Sequence, residues 1–373
     1  MENIHEVYQP VDLPSIFYKW RPYDKFIKAE AEKYKYVVFF GCGAIFSSIV
    51  DTWSAKVGEK IDYCCDNNSE KWGEFYSGVE CISYEKLLAI KKDVVIFITV
   101  GDFIPVYEQL NQQGFPSIHV IYKYDLEAAH FIRDSNIKIL IKEAEAGRSL
   151  LSDKKSQLIF DTIIKRSAGL DNNVMLMPSI YENNQYHPKD LIKLSFNESY
   201  VDVGAYDGDT IRQFLEKCAN KFNKIYAFEL DKNNFKKLER NIINHALREK
   251  IKIFDIGVWS KRETINYRPG LTQSTVGGLG ETTIVAPLDE ILNNTEITYI
   301  KMDIEGSEIH ALNGAKNIIT SQKPKLAICV YHKISHLWEI PILIHDMLPD
   351  HDIFLRHHTN LEYETVCYAL PRK

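Results

Sequence analysis

Nowhere in this sequence do cysteines pair as CxxC, no histidines follow at metal-finger spacing, and no HExxH stands on a helix. Zinc fingers and the common zinc hydrolases are thereby set aside, and no metal is assigned to the expected site. The seven cysteines form no even framework, which suits reduced thiols in a cytosolic protein. No stretch approaches the roughly 20 apolar residues that a membrane-spanning helix needs. The opening "MENIHEVYQPVDLPSIFYKW" lacks the basic-then-apolar order of a secretion signal, so a cytoplasmic protein is expected. Positive charge is also scarce. With a net charge of −6 there is no broad basic field to neutralise phosphates, so nucleic acid is not an expected partner. No repeat period appears, which excludes a solenoid.

What is present is a chain of 373 residues, 45% hydrophobic and 26% charged, long enough for two cores. After an arm over 1–35, "YVVFFGCGAIFSSIVDTW" runs from β-branched and aromatic residues through glycines into a helical period. "KIDYCCDNN", "DVVIFITVG" and "SIHVIY" add further short apolar runs, so residues 36–125 predict a small parallel α/β sheet. Residues 126–195 predict a helical connector, with Gly169 as a stop and a polar, aromatic loop "LMPSIYENNQYHP" behind it. A second α/β series fills 196–373.

That second series carries the chemistry. In "YVDVGAYDGDTIRQFL" an apolar strand ends in Asp202, a tight turn holds Gly204 and Gly208, and a helix starts near Thr210. Glycines let the backbone turn sharply and approach a ligand, and a helix start offers free N–H groups. About 25 residues on, "KIYAFELD" puts Glu229 at the end of the next run, where an acid in a nucleotide-binding unit meets ribose hydroxyls. The loop alone is also compatible with plain turn chemistry. "KIKIFDIGVWS" then brings Asp255 near a third strand's end, and "TTIVAPLDEIL" predicts a short strand before an acidic helix start. In "YIKMDIEGSEIHALNGA" three acids, Asp303, Glu305 and Glu308, crowd behind an apolar run. Unpaired carboxylates do not suit a strand interior, so they belong at a strand's end, beside any ligand bound there. Helix capping is the plainer reading of Glu305 and Glu308.

In this order, "DVGAYDGDT", "AFELD", "PLDEIL", "IKMDIEGSEIHALNGA", "VYHK" and "LRHHTNLEYETVCYALP" resemble the FkbM family of S-adenosylmethionine-dependent methyltransferases, which typically act on hydroxyl oxygens. The resemblance covers a little over half the chain, from about Phe196, and "DKKSQLIF" with "QYHP" resembles what precedes the domain in extended relatives. It implies two Rossmann-like domains, the C-terminal one a class I methyltransferase with a seven-stranded sheet and helices on both faces. It also implies S-adenosylmethionine as cofactor, held by Asp202, Gly204, Ala205, Tyr206, Gly208, Thr210, Glu229, Asp255 and Asp303. The acceptor it implies is a small molecule or glycan: a sugar hydroxyl of a nucleotide-sugar or surface-glycan (capsule or lipopolysaccharide) intermediate. A homo-oligomer is compatible with this reading.

Six of the twelve histidines follow Ala327. Imidazole suits proton transfer near neutrality. His332, behind the apolar "KLAICVY", should project toward the cleft of Asp303 and is the expected general base, with His357 and His358 as neighbours. His336, His345 and His351 fall in polar or helical text and read as solvated. Asp303 is expected to orient the acceptor or the cofactor, and Glu305, His358 and Tyr186 to meet the acceptor. Tyr181, Arg148 and Arg166 are further candidates for a sugar site, because aromatic faces and hydrogen-bonding tips suit saccharides.

In the first domain "FFGCGAIFSS" puts Phe46 where the dinucleotide fingerprint has its third glycine, and Asp66 stands where a ribose acid would. Nucleotide binding and a purely scaffolding role both stay open there. Two other functions are compatible with the sequence: an NAD-dependent sugar oxidoreductase and a non-catalytic nucleotide-binding scaffold.

Overall fold

A computed structural model describes residues 10–20, 23–121, 136–170, 173, 175–243, 245–268, 275–276 and 280–372. Part of the expected arm (1–9, 21 and 22) and of the connector (126–135) lies outside the described residues. The N-terminal sheet comprises β1 (Tyr36–Phe40), β2 (Tyr63–Cys65), β3 (Phe75–Tyr76), β4 (Val79–Ile82), β5 (Val94–Ile98) and β6 (Ser117–Val120). Their order is β3-β4-β2-β1-β5-β6, parallel except where β3 pairs antiparallel with β4. All five residues of "VVIFI" in β5 are buried, as a continuous apolar run must be when both sheet faces are covered. The short hairpin of β3 and β4 lacks a strong apolar run, and no strand was expected there.

The C-terminal series begins with β7 (Ser199–Val203), β8 (Lys224–Phe228) and β9 (Ile251–Phe254). A small sheet follows, of β10 (Gly257–Val258), β11 (Glu263–Arg268), β12 (Thr275–Val276) and β13 (Glu281–Ala286). The run "TTIVA", expected as a strand, is β13, and it pairs with β10 and β11 rather than joining the main sheet. The chain then returns with β14 (Tyr299–Met302), β15 (Lys325–Cys329), β16 (His351–His357) and β17 (Thr365–Pro371). The main sheet has seven strands in the order β16-β17-β15-β14-β7-β8-β9, and β17 runs antiparallel to β15 and β16. Alternate residues divide between two cores: Val201, Val203, Ile300 and Met302 on one face, Tyr200 and Tyr299 on the other. Strand order reverses between β7 and β14, and the crevice outside their carboxyl ends is where such a sheet takes its ligands.

The connector is not a loose tether. Its helix Ile137–Ser149 lies on helix His336–Met347, and its helix Lys154–Ser167 lies on β16. Leu140, Ala144, Phe160 and Ile164 share the core of the main sheet. Asp153 caps the second helix through Ser156 N at 2.7 Å, and Gly169, with φ of +65°, ends it as expected. The buried Arg356 of β16 pins this junction, with Nη2 at 2.8 Å from Asp153 Oδ2 and 2.6 Å from Asp190 Oδ2.

The two helices meet at Gly147, where a Cβ would stand 2.6 Å from Trp338 Cβ and 2.7 Å from Trp338 Cα. Backbone cannot yield as a flexible side chain does. Gly147→Ala is therefore expected to lower the unfolding free energy by roughly 1–3 kcal/mol, as overpacking does. Urea melts of both proteins check this, and an unchanged midpoint would show that the helices part at no cost.

Candidate active site

Three carboxyl-terminal strand ends build the crevice. After β7 the chain turns at Gly204, whose φ is +81° and where a Cβ would fall 1.9 Å from the Asp303 carbonyl oxygen. Only glycine lets the two loops approach so closely. Gly204 N and Ala205 N both donate to Phe228 O at 3.0 Å, which sets the loop over the end of β8. Gly208, at φ +89°, is the N-cap of helix Asp209–Lys217.

Asp202 faces inward. Its carboxylate is fully buried, 3.0 Å from Lys301 Nζ on β14, and accepts a hydrogen bond from Thr210 Oγ1. Lys301 in turn donates to Gly204 O at 2.8 Å. Burial works against the lysine's charge, but Asp202 and then Asp303 outweigh it and hold Lys301 above its ordinary pKa. Asp202, Ala205, Gly208 and Thr210 thus shape the loop from behind rather than line the crevice.

Glu229 does line it. Its Oε2 accepts from Tyr206 N at 2.9 Å and its Oε1 from Asp231 N at 2.8 Å. Burial pushes its carboxyl up to about 7, against the pull of those two backbone donors. Gly204, Tyr206, Glu229, Asp303 and Glu305 share the crevice with an apolar wall of Leu230, Ile256, Val258 and Trp259, around about 750 Å³ of empty space that includes the mouth. Trp259 is stacked on His310 at 4.0 Å. The third-strand acid was misplaced by sequence: Asp255 is exposed and outside the lining, because the chain turns there and presents its neighbours Ile256 to Trp259 instead. The signal was the apolar "IGVW" itself.

Asp303 sits at the centre. Its Oδ2 accepts from Tyr186 OH at 2.8 Å and its Oδ1 from Tyr331 OH at 3.2 Å. Tyr186 is 3% exposed, and its backbone N donates to Tyr368 OH at 3.0 Å, so it acts through Asp303 rather than on an acceptor. Glu305, at φ +54°, and Gly306, at +91°, make the turn into the next helix. Glu308 organises that turn from inside, accepting from Ile304 N at 3.0 Å. Glu308 is thus a structural group of the turn rather than a cap of the helix, whose N-cap is Ser307.

Glu308 also meets two imidazoles, His332 Nδ1 at 2.9 Å and His336 Nδ1 at 3.2 Å. Burial alone would lower His332, but Glu308 first, then Asp303 and Glu305, outweigh it and push it up to about 9. His332 therefore lies behind Asp303 and Glu305, outside the crevice lining, and carries a proton at neutral pH, which does not suit a resting general base. His336 and His351 are buried, not solvated, and His345 is half-buried.

The last two expected histidines lie elsewhere. His357 is fully buried, with Nδ1 2.8 Å from Thr365 Oγ1, and burial pushes it down to about 3. His358 has Nδ1 2.8 Å from Glu182 O and Nε2 2.9 Å from Tyr368 OH, and burial pushes it down to about 4. Both are packing groups that hold the Tyr186 loop. Arg148 is bidentate to Asp161, Arg166 bonds Glu362 and Val120 O, and Tyr181 is exposed, so neither arginine is held out for a sugar. Sequence missed Glu364, which accepts from Gln185 Nε2 and which burial and the charge of Asp303 push up to about 8. It stands within the quoted "LEYETVCY", but nothing local marks it.

A seven-stranded sheet with one antiparallel strand, a glycine loop after its first strand and an acid after its second is the fold of a class I methyltransferase. Residues 202–361 match the family model described as the methyltransferase FkbM domain. The chain is similar in fold to the crystal structure of methyltransferase FkbM from Methylobacillus flagellatus KT, with a TM-score of 0.77 and 21% identity over 97% of this chain and 100% of that one. Weaker likenesses, both at TM-score 0.32 and 14% identity, are to an rRNA methylase from Streptococcus thermophilus (48% of this chain, 89% of that) and to Aeropyrum pernix fibrillarin with natively bound S-adenosyl-L-methionine (49% and 71%). No inference about this chain rests on those two. No curated protein sequence matches it. Among the described residues no helix is long and apolar enough to cross a membrane.

Glu229 gives a pH test. Its folded-state pKa lies above the ordinary 4.5, so the stability it contributes is fully present below about 4.5 and is lost as pH rises through about 7. Glu229→Gln is expected to be less sensitive than the parent to a rise from pH 4.5 to 7.5 in thermal melts at about 0.1 M salt. Parallel profiles would show that the carboxyl is not strained by burial.

Proposed function

We propose that the protein is an S-adenosylmethionine-dependent O-methyltransferase acting on a sugar hydroxyl, in a nucleotide-sugar or a surface-glycan intermediate in the cytoplasm. The observation that carries this is a single crevice holding a ribose-type acid, Glu229, at one end and the exposed edges of Asp303 and Glu305 at the other. The sugar is supported by the resemblance to FkbM proteins.

S-adenosylmethionine, when bound, supplies a methyl group on positively charged sulfur that needs no further activation. Glu229 is placed to accept the ribose hydroxyls, since two backbone donors already fix its carboxylate. Leu230, Ile256 and Val258 offer apolar surface to a base, and Gly204 lets backbone close on the ligand. Asp303, with side-chain exposure of 22%, is placed to orient the acceptor hydroxyl and would accept its proton. Tyr186 and Tyr331 hold that carboxylate in one rotamer. Holding both reactants in line accounts for much of the rate, because effective molarity supplies several kcal/mol, on the order of 7–11 in the best cases. Protonated His332 stands behind Asp303 as a positioning group.

Two variants test the placement. Glu229→Ala is expected to weaken S-adenosylmethionine binding at least roughly tenfold by calorimetry, the worth of about one lost charged hydrogen bond. Equal affinity would put the donor elsewhere. His332→Ala is expected to keep donor affinity while slowing methyl transfer, and undiminished turnover would remove His332 from the reaction.

A further inference from the structure

Asp303, Glu305 and His332 bring two carboxylate oxygens and one ring nitrogen within 4.8 Å of one another. His332 Nε2 lies 3.4 Å from Asp303 Oδ1 and 3.5 Å from Glu305 Oε2. Neither contact has hydrogen-bond geometry, so among the described residues this buried nitrogen, on a side chain only 3% exposed, has no hydrogen-bond partner. A buried polar atom without one is costly and calls for an explanation. The spacing supplies one, since neighbouring donors around a six-coordinate cation with bonds of about 2.2 Å stand about 3 Å apart.

The support behind the ring has the same character. Glu308, fully buried, lies 2.9 Å from Nδ1, a contact that also lacks hydrogen-bond geometry, and is fixed by Ile304 N. A metal-bound histidine characteristically turns its other nitrogen to a carboxylate, which sets the tautomer and aims the free nitrogen at the ion. Asp303 is likewise held by Tyr186 OH and Tyr331 OH. Lys333, the cation on this turn, bonds Gly306 O at 2.8 Å.

We propose that Asp303, Glu305 and His332 form a site for one divalent cation of the Mn²⁺ type, which takes two neighbouring hydroxyls of the acceptor at its open positions. This deepens the O-methyltransferase reading and rests on it for the acceptor. Two carboxylates and an imidazole suit a first-row ion such as Mn²⁺, whereas Ca²⁺ prefers an all-oxygen shell. Three protein ligands leave positions free, and the carboxylates, 22% and 19% exposed, open them to the crevice. A vicinal diol fits such positions as a chelate, which narrows the acceptor to polyhydroxy compounds.

The test uses the full chain stripped with EDTA and then titrated with MnCl₂, with the electron paramagnetic resonance signal of free Mn²⁺ as readout. One equivalent bound per chain is expected, with affinity reduced roughly tenfold or more in Glu305→Gln and in His332→Ala. Thermal melts show whether each variant folds, and if His332→Ala does not, the isosteric Glu305→Gln alone decides. No bound Mn²⁺, or binding unchanged in Glu305→Gln, overturns the site. Calorimetry with S-adenosylmethionine on the same samples separates the two readings. Donor binding without Mn²⁺ binding sinks the cation site alone, and Mn²⁺ binding without donor binding leaves the cation site standing while the methyltransferase reading fails.

Discussion

The crevice depends on a buried ion pair between the first and fourth strands of the main sheet. Asp202 and Lys301 stand opposite each other in the register of β7 and β14, both essentially without solvent contact. Two charges taken from water are held only if their remaining groups are satisfied. Thr210 and the Gly204 carbonyl do that here. Removing either partner would leave the other charge uncompensated, which costs about 3–5 kcal/mol in buried pairs generally. The pair also joins the two loops that matter, because β7 leads into the glycine turn and β14 leads to Asp303. With Gly204 packed against the Asp303 backbone, donor side and acceptor side are one rigid piece.

Rigidity of this kind explains how carboxylates accumulate at one mouth without mutual repulsion opening it. Asp303, Glu305, Glu308 and Glu364 lie around His332 and Lys301. Glu308 would be raised by burial, yet its two imidazoles hold it far below the usual carboxylate range. For Glu364, burial and Asp303 outweigh Gln185, His332 and Lys301, and it is pushed the other way. Neighbouring acids in one site with opposed shifts mark a place where charge is arranged for a task rather than for stability.

Much of this was legible in the sequence where the signal was local. Strand ends carrying Glu229 and Asp303 could be read from apolar runs that stop at an acid, and the glycine turn from its residues, whereas Asp202 lies inside β7, tolerated there by its pairing with Lys301. The partners could not, because they are distant along the chain: Lys301 lies in β14 beside Asp202 of β7, and Tyr186 reaches Asp303 across 117 positions. The histidines show the same limit. His332, His357 and His358 all stand near strand ends, but only the fold shows that His332 faces three acids while the other two bond Thr365, Glu182 and Tyr368. Asp255 failed for a backbone reason, since a turn directly after β9 exchanges which residues face the crevice.

The N-terminal sheet connects with this site through the turn between β16 and β17. Its fingerprint position Phe46 is fully buried against Phe39, centroids 5.6 Å apart, so the helix is packed by an aromatic wedge where a nucleotide fold uses glycine. Asp66 is occupied as well, accepting from Cys42 N, Asn68 N and Lys71 Nζ. Both observations weigh toward scaffold. What the domain does hold is the turn: Leu361 is buried in its core, and Arg166 of the connector bonds both Val120 O of β6 and Glu362. Glu364 follows two residues later, at φ +63°, beside Asp303. A sheet that anchors this turn holds the Asp303 side of the crevice, while the Asp202–Lys301 pair holds its Gly204 side.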